Sequence, residues 1–182
     1  SRSLLNMVAD LDRKLFEPIV ICKKNGPTFV KLQSLGIQTF IDCKIFSIIP
    51  LKKNNLKNWL IHGYKLFLMK SVLNKIINIK PDILHLNYEG LIPLHYFLSK
   101  RNLKIKTILH FRSSVAKANF IYKIYAKHIN KHINHLIFIT ENQYEEAKKS
   151  GVLVDNISNT ILYNASNILG RSKIKEAKKG SF

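Results

Sequence analysis

Short β-branched apolar runs alternate with stretches of helical periodicity along most of the chain, and this alternation limits the fold more than any other feature. Glu17–Cys22, Ile37–Ile41, Asp82–Asn87, Lys106–Phe111, His135–Thr140 and Ile157–Leu162 read as strands, with Ile45–Leu51 as a further extended piece. Helical spacing fills residues 2–12, 27–35, 56–79, 91–100, 117–133 and 142–150. Pro27 suits a first helical turn, and Gly36 and Gly151 stand where helices end. The strands are apolar throughout, as strands buried on both faces are. Consecutive parallel strands need crossover helices, so the pattern predicts an α/β domain with a doubly wound, mostly parallel sheet.

At 182 residues the chain is long enough to bury its own core without a staple. Its two cysteines, Cys22 and Cys43, lie in runs that read as strands and lack metal or redox spacing. That usage fits a reducing cytosol. No run of 18 apolar residues is present, so no membrane-spanning helix is expected. The net charge of +19 favours anionic partners. Lys (25), Ile (25) and Asn (17) dominate while Arg numbers only 5, a skew that AT-rich coding also produces. Arg is the residue suited to bidentate phosphate contacts, so its scarcity weakens a nucleic-acid reading.

In a parallel sheet the loops after the strands hold the ligand. Asn87 to Gly90 place an amide, a carboxylate (Glu89) and a glycine at one strand end. His110 to Ser114 place an imidazole, the Arg112 guanidinium and two hydroxyls at the next. Arg112 is suited to an anionic acceptor, because a guanidinium grips carboxylate or phosphate in fork geometry. Thr140 can cap the helix that follows it, and Glu141 either reaches the cleft or stabilises that same helix start. His85 sits within an apolar strand and reads as a core histidine. His128 and His132 have the i, i+4 spacing that zinc sites use, but with no third ligand nearby no metal is expected.

Five elements, taken in order, resemble glycosyltransferase family 4. They are Pro81-Asp-Ile-Leu-His85, the strand-end His110, Ile139-Thr-Glu141 with Gly151-Val152, Ile161-Leu-Tyr-Asn164-Ala165-Ser-Asn167, and the opening Arg2-Ser-Leu-Leu5. The resemblance covers nearly the whole chain. It implies the N-terminal, acceptor-side domain of a GT-B architecture, Rossmann-like, over residues 1–167, with 168–182 as a linker or the start of a donor-binding domain. It further implies a missing first strand and glycine-rich loop, and Ala165 stands where the family has glycine.

The activity implied is that of a retaining glycosyltransferase moving a sugar from a nucleotide sugar to a glycan or lipid-linked acceptor in cell-envelope polysaccharide synthesis. His110 would be the catalytic residue, Asn87, Glu89, Arg112 and Glu141 would bind substrate, and Asn164 would mark the hinge. No metal or other cofactor is expected beyond the donor, which the C-terminal half would mainly hold, so this domain alone would be inactive. The expected location is cytoplasmic, at the inner face of the membrane. There the lysines of residues 117–133 would rest on anionic lipid; the alternative for those lysines is an ordinary solvated helix face. The competing functional reading is a basic nucleic-acid- or partner-binding domain without catalysis.

Overall fold

The computed structural model describes residues 2–45, 60, 63–65, 67–101, 103–112, 120–152 and 157–163. Among these residues six strands form: β1 (Ile19–Cys22), β2 (Gln38–Ile41), β3 (Ile83–Leu86), β4 (Lys106–His110), β5 (His135–Phe138) and β6 (Ser158–Ile161). The helices are α1 (Arg2–Ala9), α2 (Pro27–Ser34), α3 (Lys70–Ile79), α4 (Ile92–Ser99), α5 (Phe120–His132) and α6 (Glu141–Lys149). The strands and helices fall on the stretches their apolar patterns predict, most of them shorter by a residue or a few, and α6 begins one residue before its predicted start. The start of the helix expected from residue 56, and most of the extended piece at 45–51, fall outside the described residues.

All the described strand pairs are parallel. β1 pairs with β2, and β3, β4, β5 and β6 form a ladder in that order. Alternate residues of a strand face opposite sides, and the core follows this rule. Val20 and Cys22 of β1 pack with Val8 of α1 and Leu32 of α2. Ile21, between them, packs with Met69, Val72 and Ile76 from the α3 region and Leu94 and Leu98 of α4. On that second face Leu86, Leu109, Phe111, Leu136 and Phe138 meet Ile92, Ile129 and Ala147. The rings of Phe111 and Phe138 stack 4.9 Å apart. Helices therefore cover both faces, α1 and α2 on one and α3 to α6 on the other, which is the doubly wound α/β arrangement expected.

Burial on both faces does not extend to every strand. Gln38 and Ile41 of β2 are exposed, as are Ser158, Asn159 and Thr160 of β6, because these two strands form the outer limits of their ladders. Cys43 lies in a turn after β2 and is exposed rather than in a strand, and both cysteines are free.

The helix ends follow local chemistry. Gly36 and Gly151 have φ of 69° and 68°, the left-handed region where a Cβ is costly. There the chain turns so that Ile37 N–H bonds to the Leu32 carbonyl and Val152 N–H to the Ala147 carbonyl. Ile37 and Val152 are then buried, which anchors each turn to the core. Thr140 caps α6 by accepting from Gln143 N–H at 3.2 Å, a contact worth about 1 kcal/mol. No described helix is long and apolar enough to cross a membrane.

Candidate functional site

The C-terminal ends of β3 and β4 lie side by side, with Leu86 in register with Leu109. After β3 the chain passes Asn87 and Tyr88 and turns through a short 3-10 segment, Glu89–Leu91, into α4. Leu91 N–H bonds to the Tyr88 carbonyl at 3.1 Å. This turn buries the Glu89 side chain, which is 1% exposed. Its carboxylate accepts the Arg112 backbone N–H at 2.9 Å, joining the loop after β3 to the loop after β4.

The Arg112 side chain turns back over the same edge. Its Nε donates to the Asn87 backbone carbonyl at 2.9 Å and to Asn87 Oδ1 at 3.0 Å, and its Nη2 donates to Oδ1 at 2.6 Å. Nη1 donates to Ser3 Oγ in the first turn of α1. Nη2 also lies 3.3 Å from His110 Nδ1. Burial pulls the guanidinium below its ordinary pKa, and the Glu89 charge opposes that pull. Most of the fork that the sequence offers to an anionic acceptor is thus occupied by the protein itself. Arg112 fixes Asn87, Ser3 and His110 in one place.

This contact decides the protonation of His110. A guanidinium can only donate, so Nδ1 is the accepting nitrogen and the neutral ring carries its proton on Nε2. His110 is 2% exposed, and its Nε2 has no hydrogen-bond partner among the described residues. Burial, then the Arg112 charge, then His85 push its pKa down to about 4. His110 therefore stays neutral at physiological pH and presents a buried N–H donor. His85 stacks against it with ring centroids 5.8 Å apart, and its Nε2 is also buried without a partner among the described residues. Burial and Arg112 hold His85 at about 4 as well. His85 is thus not the satisfied core histidine that its apolar strand suggests.

Four of the sequence-derived site residues, Asn87, Glu89, His110 and Arg112, come together here. Glu141 does not join them. It is exposed at the start of α6, and its Oε1 accepts from the Tyr163 hydroxyl at 2.9 Å. Asn164 lies outside the described residues, as do Ser113 and Ser114. No protein-family model, curated protein or solved structure matches the chain.

A second polar group lies between the sheet and α4 and α5. His95 Nδ1 and His128 Nε2 are 2.8 Å apart, and His95 Nε2 is 3.0 Å from Thr107 Oγ1 of β4. The His128 and His132 rings are 4.8 Å apart. Although His95 adds a third imidazole to the pair read from the sequence, no described group of side chains has the geometry to hold a metal ion. His95 spends one ring nitrogen on His128 and the other on Thr107. The sequence signal for this group is a polar residue inside an apolar run, His95 within Ile92–Ser99 and Thr107 within β4, but only the fold shows that the two meet.

Proposed function

We propose that the chain is the acceptor-side domain of a retaining glycosyltransferase, with His110 at the reacting centre. The observation that carries this reading is the buried Nε2–H of His110 at the C-terminal edge of a parallel sheet, held in one tautomer by Arg112. A neutral imidazole donor suits a sugar hydroxyl or a carbonyl oxygen, which needs a hydrogen bond and not a cation. Asn87 accepts from Arg112 through Oδ1, which leaves its amide nitrogen as a donor for an acceptor hydroxyl. In this scheme Arg112 and Glu89 are positioning residues. The nucleotide sugar would be held mainly by a donor-binding half.

The test is turnover of the complete protein with His110 changed. His110→Ala should lower kcat by about 100-fold or more, as loss of one fixed donor does. His110→Gln, whose amide nitrogen falls near Nε2, should recover part of that loss. Because His110 stays neutral down to about pH 4, kcat/KM should show no limb from this residue between about pH 5.5 and 8. Turnover of His110→Ala equal to wild type removes the assignment.

The same reading places the domain on a membrane surface, supported by the +19 charge and by exposed Lys127 and Lys131 on α5. The expected result is co-sedimentation with phosphatidylglycerol vesicles that is lost in high salt and absent with phosphatidylcholine. Equal binding to both vesicle types overturns it.

A further inference from the structure

Charges at the ends of β1 to β4 are sorted by depth, with the carboxylates inside. Glu89 is buried and accepts the Arg112 N–H. Asp42, just after β2, is 5% exposed. Its Oδ1 accepts the Lys44 N–H at 3.0 Å, and its Oδ2 accepts from Ser71 Oγ and Lys75 Nζ of α3, each at 2.9 Å. With an ammonium and two further donors on it, this carboxylate does not neutralise charge at the surface. The lysines lie outside. Lys23 and Lys24 follow β1, Lys44 follows β2, and all three are exposed. Asp42 is the only carboxylate on the two loops, residues 23–26 and 42–45.

This cationic rim adjoins the His110 site. Asp42 N–H bonds to the Cys22 carbonyl at 2.8 Å, which sets the loop after β2 beside the loop after β1. The start of α1 links that corner to β4. Leu4 and Leu5 pack on the cluster that Cys22 also joins, while Ser3 accepts from Arg112. The inner site is electrically different from the rim. Glu89 offsets Arg112, and His110 is neutral. Arg112 gives most of its fork to the protein, so holding an anion falls to the lysines.

We propose that Lys23, Lys24 and Lys44 form a subsite for a phosphate group, and that the acceptor is a phosphate-bearing saccharide whose reacting hydroxyl lies at His110 and Asn87. This rests on the acceptor-site reading above. An ammonium is a compact point charge that takes any phosphate oxygen without the planar match a guanidinium needs. A phosphate monoester carries about two negative charges at pH 7 and a carboxylate one, so three lysines on a rim without a free carboxylate favour the phosphate.

The test is a titration of the 182-residue chain followed by amide chemical shifts, at low salt, with glucose 6-phosphate, glucose, glucuronate and inorganic phosphate as probes. Glucose 6-phosphate should move Lys23, Lys24 and Lys44 together with Asn87 and Arg112, with a Kd at least about tenfold below that of glucose. Binding should weaken as salt rises past about 0.1 M. The triple substitution Lys23→Gln, Lys24→Gln, Lys44→Gln should bring the Kd for glucose 6-phosphate up to that of glucose. Glucose binding as tightly as its phosphate, through Asn87 and Arg112 alone, overturns the phosphate subsite and leaves the acceptor reading standing. Inorganic phosphate matching glucose 6-phosphate, with no response at Asn87, removes the saccharide and the acceptor reading with it. Glucuronate binding as well as glucose 6-phosphate overturns the choice of phosphate. Shifts spread equally over Lys127 and Lys131, or absent at the three rim lysines, reduce the rim to the diffuse charge of a +19 chain and overturn the proposal.

Discussion

Arg112→Ala should destabilise the chain by about 3–5 kcal/mol, the cost of removing several charge-assisted hydrogen bonds of a half-buried guanidinium at once. Glu89 is almost fully buried, and its charge acts on Arg112. The substitution also releases the donors that hold Asn87, Ser3 and His110, which belong to three separate elements. At a typical urea slope of about 2 kcal/mol per molar, the midpoint should fall by roughly 2 M. Arg112→Lys should recover little, because one ammonium cannot reach Ser3, Asn87 and His110 together. Adding Glu89→Gln to Arg112→Ala should recover part of the loss, since the buried group is then neutral and its oxygen still accepts the backbone N–H. A shift below about 1 kcal/mol for Arg112→Ala would place this group with weak surface ion pairs and sink the account.

Acid should unfold the chain well above the range where carboxylates titrate. His85, His95, His110 and His128 are all held at about 4, against 6.5 ordinarily, and in each case burial is the main cause. Neighbouring charges add to it: Arg112 at His85 and His110, His132 with His128 at His95, and His132 with Lys100 at His128. The sign follows from proton binding. The unfolded chain takes up these protons near pH 6.5 while the folded chain resists until about 4, so stability is full above 6.5 and is lost as pH falls through that window. At pH 5 one such histidine costs about 2 kcal/mol, and domains of this kind hold only about 5–15. Asp42 is buried too, but hydrogen bonds from Lys75, Ser71 and the Lys44 N–H outweigh burial and hold its pKa low, so it titrates below this window. Urea midpoints should fall steadily from pH 7 to pH 4.5, and His95→Gln should flatten the fall. A midpoint unchanged over that range contradicts the argument.

The periodic features of the fold are legible in the chain. Runs such as Ile19–Cys22 and Lys106–His110 carry their strand character locally, and Gly36, Gly151 and Pro27 mark helix limits through backbone geometry that acts within a few residues. Asn87, Glu89, His110 and Arg112 could be found because a parallel sheet puts strand ends together, so polar residues just after apolar runs must converge. What could not be read is which of them bond to one another. That Arg112 spends its fork on Asn87 and Ser3 depends on contacts across 25 and 109 residues. The His85–His110 stack depends on register, and the His95–Thr107 contact on how α4 sits against β4. Glu141 satisfied the same strand-end rule, yet its partner is Tyr163 beyond β6.

The all-parallel pairing has a consequence for how the chain reaches this structure. Ile19 pairs with Gln38, 19 residues on, and Ile108 with His135, 27 residues on. No described strand pair can close as a hairpin, so no rung of the sheet forms until a whole helix has been placed between its strands. Folding should then be slow for the size of the chain, because loop-closure entropy is lost before any ladder bond repays it. During that delay the apolar strands are exposed with open edges, and at high concentration they meet one another before they meet their own helices. Refolding yield should therefore depend on protein concentration more steeply than native stability does.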